Sequence, residues 1–423
     1  MIRIKGARVL DPGHTDENRD IIIKNGRIES IVDPSVQVDD PDITIVDATG
    51  MLAVPGLVDM HVHLREPGHE YKETIETGLR AAAAGGFTTV CPMPNTDPVN
   101  DSSRVTRFII SRAKEAGYSK VMPVGAATRG SDGKTLAEYA DMKDSGICAV
   151  SDDGRPVKNS LMMRRVLEYA DGLDLPVFSH AEDLDLADGG SMNEGRVATS
   201  LGIRGIPDSA ETVMVIRDIE LSRLTGSRVH ICHVSTKESV RAVRRAKQEG
   251  IPVTCETAPH YFTLTHQAVM EYDTNAKMNP PLRTEEDRQA ILDGLCDGTI
   301  DVIASDHAPH SVLEKDLEFD RAAFGIVGLE TSLPLCLKLL HEGVMSIETI
   351  VEKMAKNPAG ILGYNNDLKP GAAADITIID PDAEFSVKPE YFHSKGKNTP
   401  FSGWNLKGRA YCTIVDGRVI SNE

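Results

Sequence analysis

The sequence predicts an α/β fold: a (β/α)8 TIM-type barrel joined to a small β domain formed from both termini. Three observations lead there. The middle of the chain alternates short apolar runs with amphipathic stretches eight times, and both ends read as β-hairpins. Hydrophobic residues make up 40% of the 423 residues and aromatics only 4%, so the core is mainly aliphatic. Such a core suits helices packed on parallel strands that are buried on both faces. An α/β barrel commonly takes about 250 residues as one domain, so the length does not demand three.

At the start, DIIIKNGRIESIV (20–32) reads strand, Asn25-Gly26 turn, strand; at the end, YCTIVDGRVIS reads strand, Asp416-Gly417 turn, strand. These dipeptides are strong hairpin signals because a type I′ turn needs positive φ at both central residues. Further β patterns occur at ITIVDATG and at 373–381. The expected partition is residues 1–53 and 363–423 as the two parts of the β domain, with the barrel over 54–362 between them. Barrel strands are expected at 57–63, 88–93, 120–126, 147–152, 175–180, 228–234, 251–257 and 301–306. Helical patterns follow, for example at 73–85, 209–225 and 236–250. The loops at 183–207 and 258–283 are long, at the end of a barrel where sites are built.

Charge narrows the function. With 46 Lys and Arg against 64 Asp and Glu, the net charge is −18. That opposes sequence-general nucleic-acid binding and docking on an anionic membrane. No apolar run approaches the ~20 residues of a membrane span, and MIRIKGARVL lacks a signal peptide's apolar stretch, so a soluble, cytoplasmic protein is expected. Seven scattered cysteines without a C-x-x-C pair point to reduced, mostly buried thiols. Cys232 reads as a core residue on the strand face opposite its neighbour His233.

Polar residues gather at the C-terminal ends of the expected strands. Strand one ends in Asp59-Met60-His61-Val62-His63, strand four in Asp152-Asp153-Gly154, strand five in His180, strand six in His233 and strand eight in Asp306-His307. Residues two apart in a strand share a face, so His61 and His63 can approach one ion. A barrel brings all these ends to one rim. Four His and one or two Asp there supply the donors that Zn2+ or a related divalent ion prefers. A strand-end His taken alone is more often a hydrogen-bonded structural residue, and His14, His69, His230, His266, His341 and His393 are read that way. Gly85-Gly86 and the Gly325–Gly328 stretch do not fit a phosphate loop and read as turns or close backbone approach.

DMHVHLREPG (59–68) and ASDHAPHSVLEK (304–315) resemble the two signatures of dihydroorotases. The SDDG, SHAED, CHVST, MNPPLR and FGIVGLE segments extend the likeness over nearly the whole chain, to the longer bacterial type within the amidohydrolase superfamily. The resemblance implies one metal on His61, His63 and Asp306, a second on His180 and His233, and Asp153 bridging them, with zinc as the ion. Hydantoinases and some dihydroorotases bridge with a carboxylated lysine at the end of strand four. Here Lys143 precedes that strand and Lys158 follows its turn, which leaves Asp153 as the bridge.

The implied reaction is the reversible, zinc-dependent closure of N-carbamoyl-L-aspartate to L-dihydroorotate, the third step of pyrimidine (UMP) biosynthesis. Asp306 would serve as general base and then general acid. Arg65, two residues beyond His63, is placed to fork the substrate carboxylate. The resemblance adds Asn95 and His310 to that pocket, and assigns Asn279 and the backbone at Phe324-Gly325 to the ring. Lys315 has no chemical role in this reading and is expected in a surface salt bridge. A homo-oligomer, specifically a dimer, is expected, with association with aspartate transcarbamoylase alongside activity. The competing readings are a hydantoinase or allantoinase, whose substrates lack the ring carboxylate, and an inactive scaffold, which the full ligand set opposes.

Overall fold

The computed structural model describes residues 1–37 and 40–420. Eight parallel strands of the middle segment follow one another around a ring. Leu57–Val62 pairs with Phe87–Pro92, which pairs with Lys120–Val121. After a step in the third strand, Val124–Ala126 leads on through Ala149–Ser151, Val177–Ser179, Val229–Ile231, Val253–Thr257 and Val302–Ile303. A parallel bridge between Val62 and His307 closes the ring, and the His63 N–H donates to the His307 carbonyl at 2.8 Å. Closure therefore occurs at the rim that carries the histidines. The observed strands are shorter than the apolar runs, because several runs extend into the loops at either end.

The lower interior is filled by Met60, Cys91, Met93, Val124, Cys148, Phe178, Cys232 and Val302. The outer helices match their patterns closely: Ile75–Ala84, Ser209–Thr225 and Lys237–Gln248. Thr74 caps the first of these through a reciprocal pair with Thr77, and Gly226 ends the second at φ 74°. Gly85 and Gly328 are sites of close approach: a Cβ would lie 2.1 Å from the Leu329 carbonyl oxygen or 2.7 Å from that of Ser305.

The two termini build one sheet, in the order Arg418–Ile420, Asn405–Val415, Ile376–Ser386, Leu52–Pro55, Ile2–Asp11, Thr15–Lys24, Arg27–Val32, with Thr44–Asp47 also on Ile2–Asp11. Ile376–Ile379 lies antiparallel to Leu52–Pro55, which joins the halves. Both hairpin turns have the expected positive φ, at Asn25 and Gly26 and at Asp416 and Gly417. The strand Ile2–Asp11 had no clear signal, because Gly6 (φ 71°) and a bulge between Ile4 and Ala7 break its alternation. Between the two long C-terminal strands the chain leaves this sheet, and residues 393–398 pack on the barrel rim. Among the described residues, no helix is long and apolar enough to cross a membrane.

Candidate active site

Three of the four rim histidines are aimed by a partner behind them, whereas His233 Nδ1 is buried without one. His61 Nδ1 lies 2.7 Å from Glu256 Oε1, His63 Nδ1 2.9 Å from Asn95 Oδ1, and His180 Nε2 3.2 Å from Glu182 Oε2. These oxygens only accept, so each of those nitrogens carries a proton and the other nitrogen faces the cluster. His61 Nε2 is then 3.3 Å from Asp153 Oδ1 and 3.7 Å from Asp306 Oδ1. His63 Nε2 is 3.3 Å from Asp306 Oδ1 and 3.6 Å from Asp153 Oδ2. On the far side, His180 Nδ1 and His233 Nε2 lie 3.5 and 3.8 Å from Asp153 Oδ1 and 2.9 Å from each other.

Asp153 thus lies between two pairs of histidines. Buried within the cluster, His61 Nε2 and Asp153 Oδ1 have no hydrogen-bond partner. A buried polar atom left unpaired costs about 1–3 kcal/mol, and a cation between these donors would remove that cost. Two of the sets compact enough to hold an ion among the described residues lie at the centre of this cluster: His61, His63 and Asp306, and His61, Asp153 and His233. Nitrogen and carboxylate donors of this kind suit zinc or a similar divalent metal. Asp152 faces away and accepts from the backbone N–H of Thr128 at 3.0 Å.

Burial raises the carboxyl of Asp306, but His63, His61 and His233 outweigh it and hold the group at about 2. Burial likewise acts upward on Asp153, and the surrounding imidazoles carry it well below the carboxylate range. Against burial, Asp153 and Glu182 lift His180 to about 10. Arg65, His233 and Asp306 occupy the left-handed region at φ 62°, 34° and 48°. Such strain clusters where surrounding structure enforces a functional geometry.

Beside this cluster, Arg65 Nε donates to the Pro309 carbonyl at 3.2 Å, and Nη2 lies 3.4 Å from His310 Nε2. Among the described residues, the guanidinium forms no direct ion pair. Burial lowers its pKa, while the more distant Asp306 and Asp153 favour the charged form. His310 Nε2 sits 2.7 Å from the Phe324 carbonyl, so it carries the proton, and Nδ1 is buried without a partner. Burial and the nearby Arg65 and Lys72 push that imidazole down to about 2. Asn279 Nδ2 donates to Glu182 Oε2 at 3.0 Å. Gly325 is at φ 125°, and a Cβ there would meet that of Ala308 at 2.7 Å. The residues expected at the site therefore converge on one rim.

Two expectations change. Lys315 is buried, with Nζ donating to the carbonyls of Ala323 (2.8 Å), Gly325 (3.0 Å) and Lys277 (3.3 Å). A three-donor ammonium meets three acceptors there, and the side chain pins the Phe324-Gly325 loop instead of forming a surface pair. Cys232 is a core residue, but its Sγ lies within 4.8 Å of ligand atoms of both His61 and Glu256, so it backs the site instead of facing away. Sequence reasoning missed Glu256 and Glu182. Glu182 lies two residues beyond His180 in SHAED, a local signal that could have found it, whereas nothing local pairs Glu256 with a histidine 195 residues away.

A family model described as "Dihydro-orotase-like" matches residues 50–239. The dihydroorotase of Desulforapulum autotrophicum is 61% identical over 420 residues, 99% of each chain. That of Geobacter metallireducens is 56% identical, covering 99% of this chain and 98% of its own. Among solved structures, the L-hydantoinase (dihydropyrimidinase) of Arthrobacter aurescens aligns with a TM-score of 0.88 at 26% identity, over 99% of this chain and 96% of its own. A D-hydantoinase from a Thermus species shares the fold at TM-score 0.85 and 23% identity, over 100% and 95%. The strand-four lysines lie off the rim here: Lys158 is 3.4 Å from Asp185 on the surface, and Lys143 reaches the Leu173 carbonyl. With near-complete coverage at high identity and a rim that matches both signatures, the chain belongs to the dihydroorotase family.

Proposed function

We propose that this protein catalyses the reversible cyclisation of N-carbamoyl-L-aspartate to L-dihydroorotate in pyrimidine biosynthesis. The observation that carries this reading is the half-buried Arg65 guanidinium, which has no ion pair among the described residues and lies beside the imidazole–carboxylate cluster. A cation so placed suits a substrate that brings its own carboxylate, which both dihydroorotate and carbamoyl aspartate do. His310, and Asn95 from the side of His63, complete the carboxylate pocket. Asn279 and the Phe324-Gly325 backbone contact the ring.

His61, His63 and Asp306 would hold one zinc ion and His180 with His233 a second, with Asp153 between. Bound there, zinc supplies Lewis-acid polarisation of the ring carbonyl and lowers the pKa of water toward ~7. Asp306 is ionised at neutral pH, as a base must be. In ring opening it takes the proton from the attacking water and passes it to the leaving ring nitrogen as the C–N bond breaks. In ring closure the proton moves the opposite way.

The test is a substrate panel on the purified protein. Turnover of L-dihydroorotate should exceed that of hydantoin and dihydrouracil, which have no ring carboxylate; the reverse order would overturn the reading. Metal analysis should return two zinc ions per chain. A dimer, docking to aspartate transcarbamoylase and a cytoplasmic location complete the proposal, with sedimentation of the protein alone and mixed with that enzyme as the check on assembly.

A further inference from the structure

We infer that Asn398 is a positioning residue for substrate binding, through which the C-terminal segment sets the carboxylate pocket of the barrel. This rests on the function proposed above. Asn398 is 5% exposed, and its side-chain amide makes three hydrogen bonds. Oδ1 accepts the backbone N–H of His310 at 3.0 Å, while Nδ2 donates to the carbonyls of Ala308 at 3.1 Å and Gly325 at 3.0 Å. The backbone N–H can only donate and the carbonyls can only accept, so the amide orientation is unambiguous. The backbone carbonyl of Asn398 takes the Val327 N–H at 2.9 Å.

One side chain from outside the barrel therefore ties the His310 loop to the Phe324-Gly325 loop. Arg65 lies against the first of them, with its guanidinium on the Pro309 carbonyl and beside His310, and His310 in turn meets the Phe324 carbonyl. The close fit is built in: a Cβ on Gly396 would fall 2.7 Å from Pro309 Cβ and 2.9 Å from Asn398 Oδ1. Asn398 is not placed to touch the reacting atoms. Its loss should loosen the pocket and leave the metal cluster in place.

The experiment compares Asn398→Ala with Ser394→Ala, which removes one of the same segment's two hydrogen bonds to Glu73, the Lys395 N–H keeping the other, and leaves the pocket tie intact. For Asn398→Ala, KM for dihydroorotate should rise at least about tenfold, with kcat within about threefold and zinc content unchanged. Affinity for orotate, a pyrimidine carboxylate, should weaken in parallel, and Ser394→Ala should stay within about twofold of the parent protein. Should the alanine variant not fold, Asn398→Asp is read in its place: it keeps the acceptor for His310, loses both donors, and should show the same KM rise. An unchanged KM refutes the inference. So does a loss of kcat and zinc together, or an equal effect from Ser394→Ala. Failure of the parent protein to turn over dihydroorotate would instead overturn the proposed function.

Discussion

Arg65→Met separates recognition from chemistry. The substitution keeps much of the side-chain length and removes both the charge and the donor fork. In the structure Arg65 spends Nε on the Pro309 carbonyl and forms no ion pair among the described residues, so its charge is free for the substrate. A hydrogen bond to a charged group contributes about 1.5–3 kcal/mol, which is roughly ten- to a hundred-fold in affinity. Arg65 belongs to neither compact ligand set, so bound zinc should not change. Ring opening is followed spectrophotometrically for dihydroorotate and for dihydrouracil, the same ring without its carboxylate. kcat/KM for dihydroorotate should fall at least tenfold, while the weak activity on dihydrouracil should fall far less. A defect in folding or metal loading would depress both substrates together. Equal losses would therefore make Arg65 structural and return a hydantoinase reading to contention.

Asp306→Asn keeps the shape and an oxygen donor but cannot carry a proton; folded protein should lose about 10²–10⁴-fold in kcat, and a loss of a few-fold would move the base elsewhere. Glu256→Gln removes the charge that fixes the His61 tautomer, so zinc affinity measured by chelator competition should drop about 10–100-fold; unchanged affinity would show that His61 needs no such support. Glu330 concerns stability and pH: burial lifts its carboxyl to about 7 although it accepts the His393 and Ser394 N–H groups at 2.9 and 3.3 Å. Between its ordinary value of 4.5 and about 7 the folded state holds more protons than the unfolded one, so this group's contribution falls as pH rises through that window. Urea midpoints for Glu330→Gln should decline less from pH 5 to pH 8 than those of the parent protein, and parallel declines would refute the assignment.

Where the chemistry lies on strand ends, the sequence is readable. The His-x-His of strand one and the lone strand-end His180, His233 and Asp306 need only strand order and a closed ring to converge, and both follow from the eight apolar runs. Two of the supporting groups were illegible for a common reason. Glu256 meets His61 across the barrel, and Asn398 reaches His310 from 88 residues further along the chain, so neither has a local signature. Lys315 misled for the opposite reason. A lysine in VLEK reads as solvated, because burying it demands three acceptors that only the folded loop provides. Gly6 hid a long strand by interrupting its alternation.

The antiparallel pairing of Leu52–Pro55 with Ile376–Ile379 also constrains the order of events during synthesis. Pro55 meets Ile376, so 376 − 55 = 321 residues separate partners in one sheet. At about 5–20 residues per second, a ribosome takes roughly 16–64 s to deliver the second partner. Throughout that interval the Leu52–Pro55 edge is unpaired, while the barrel strands beyond it emerge and find one another. The first strands made are thus among the last to be completed. The nascent chain carries a bare β edge for most of its translation, and this is the period in which chaperone binding or misassociation on the polysome would be decided.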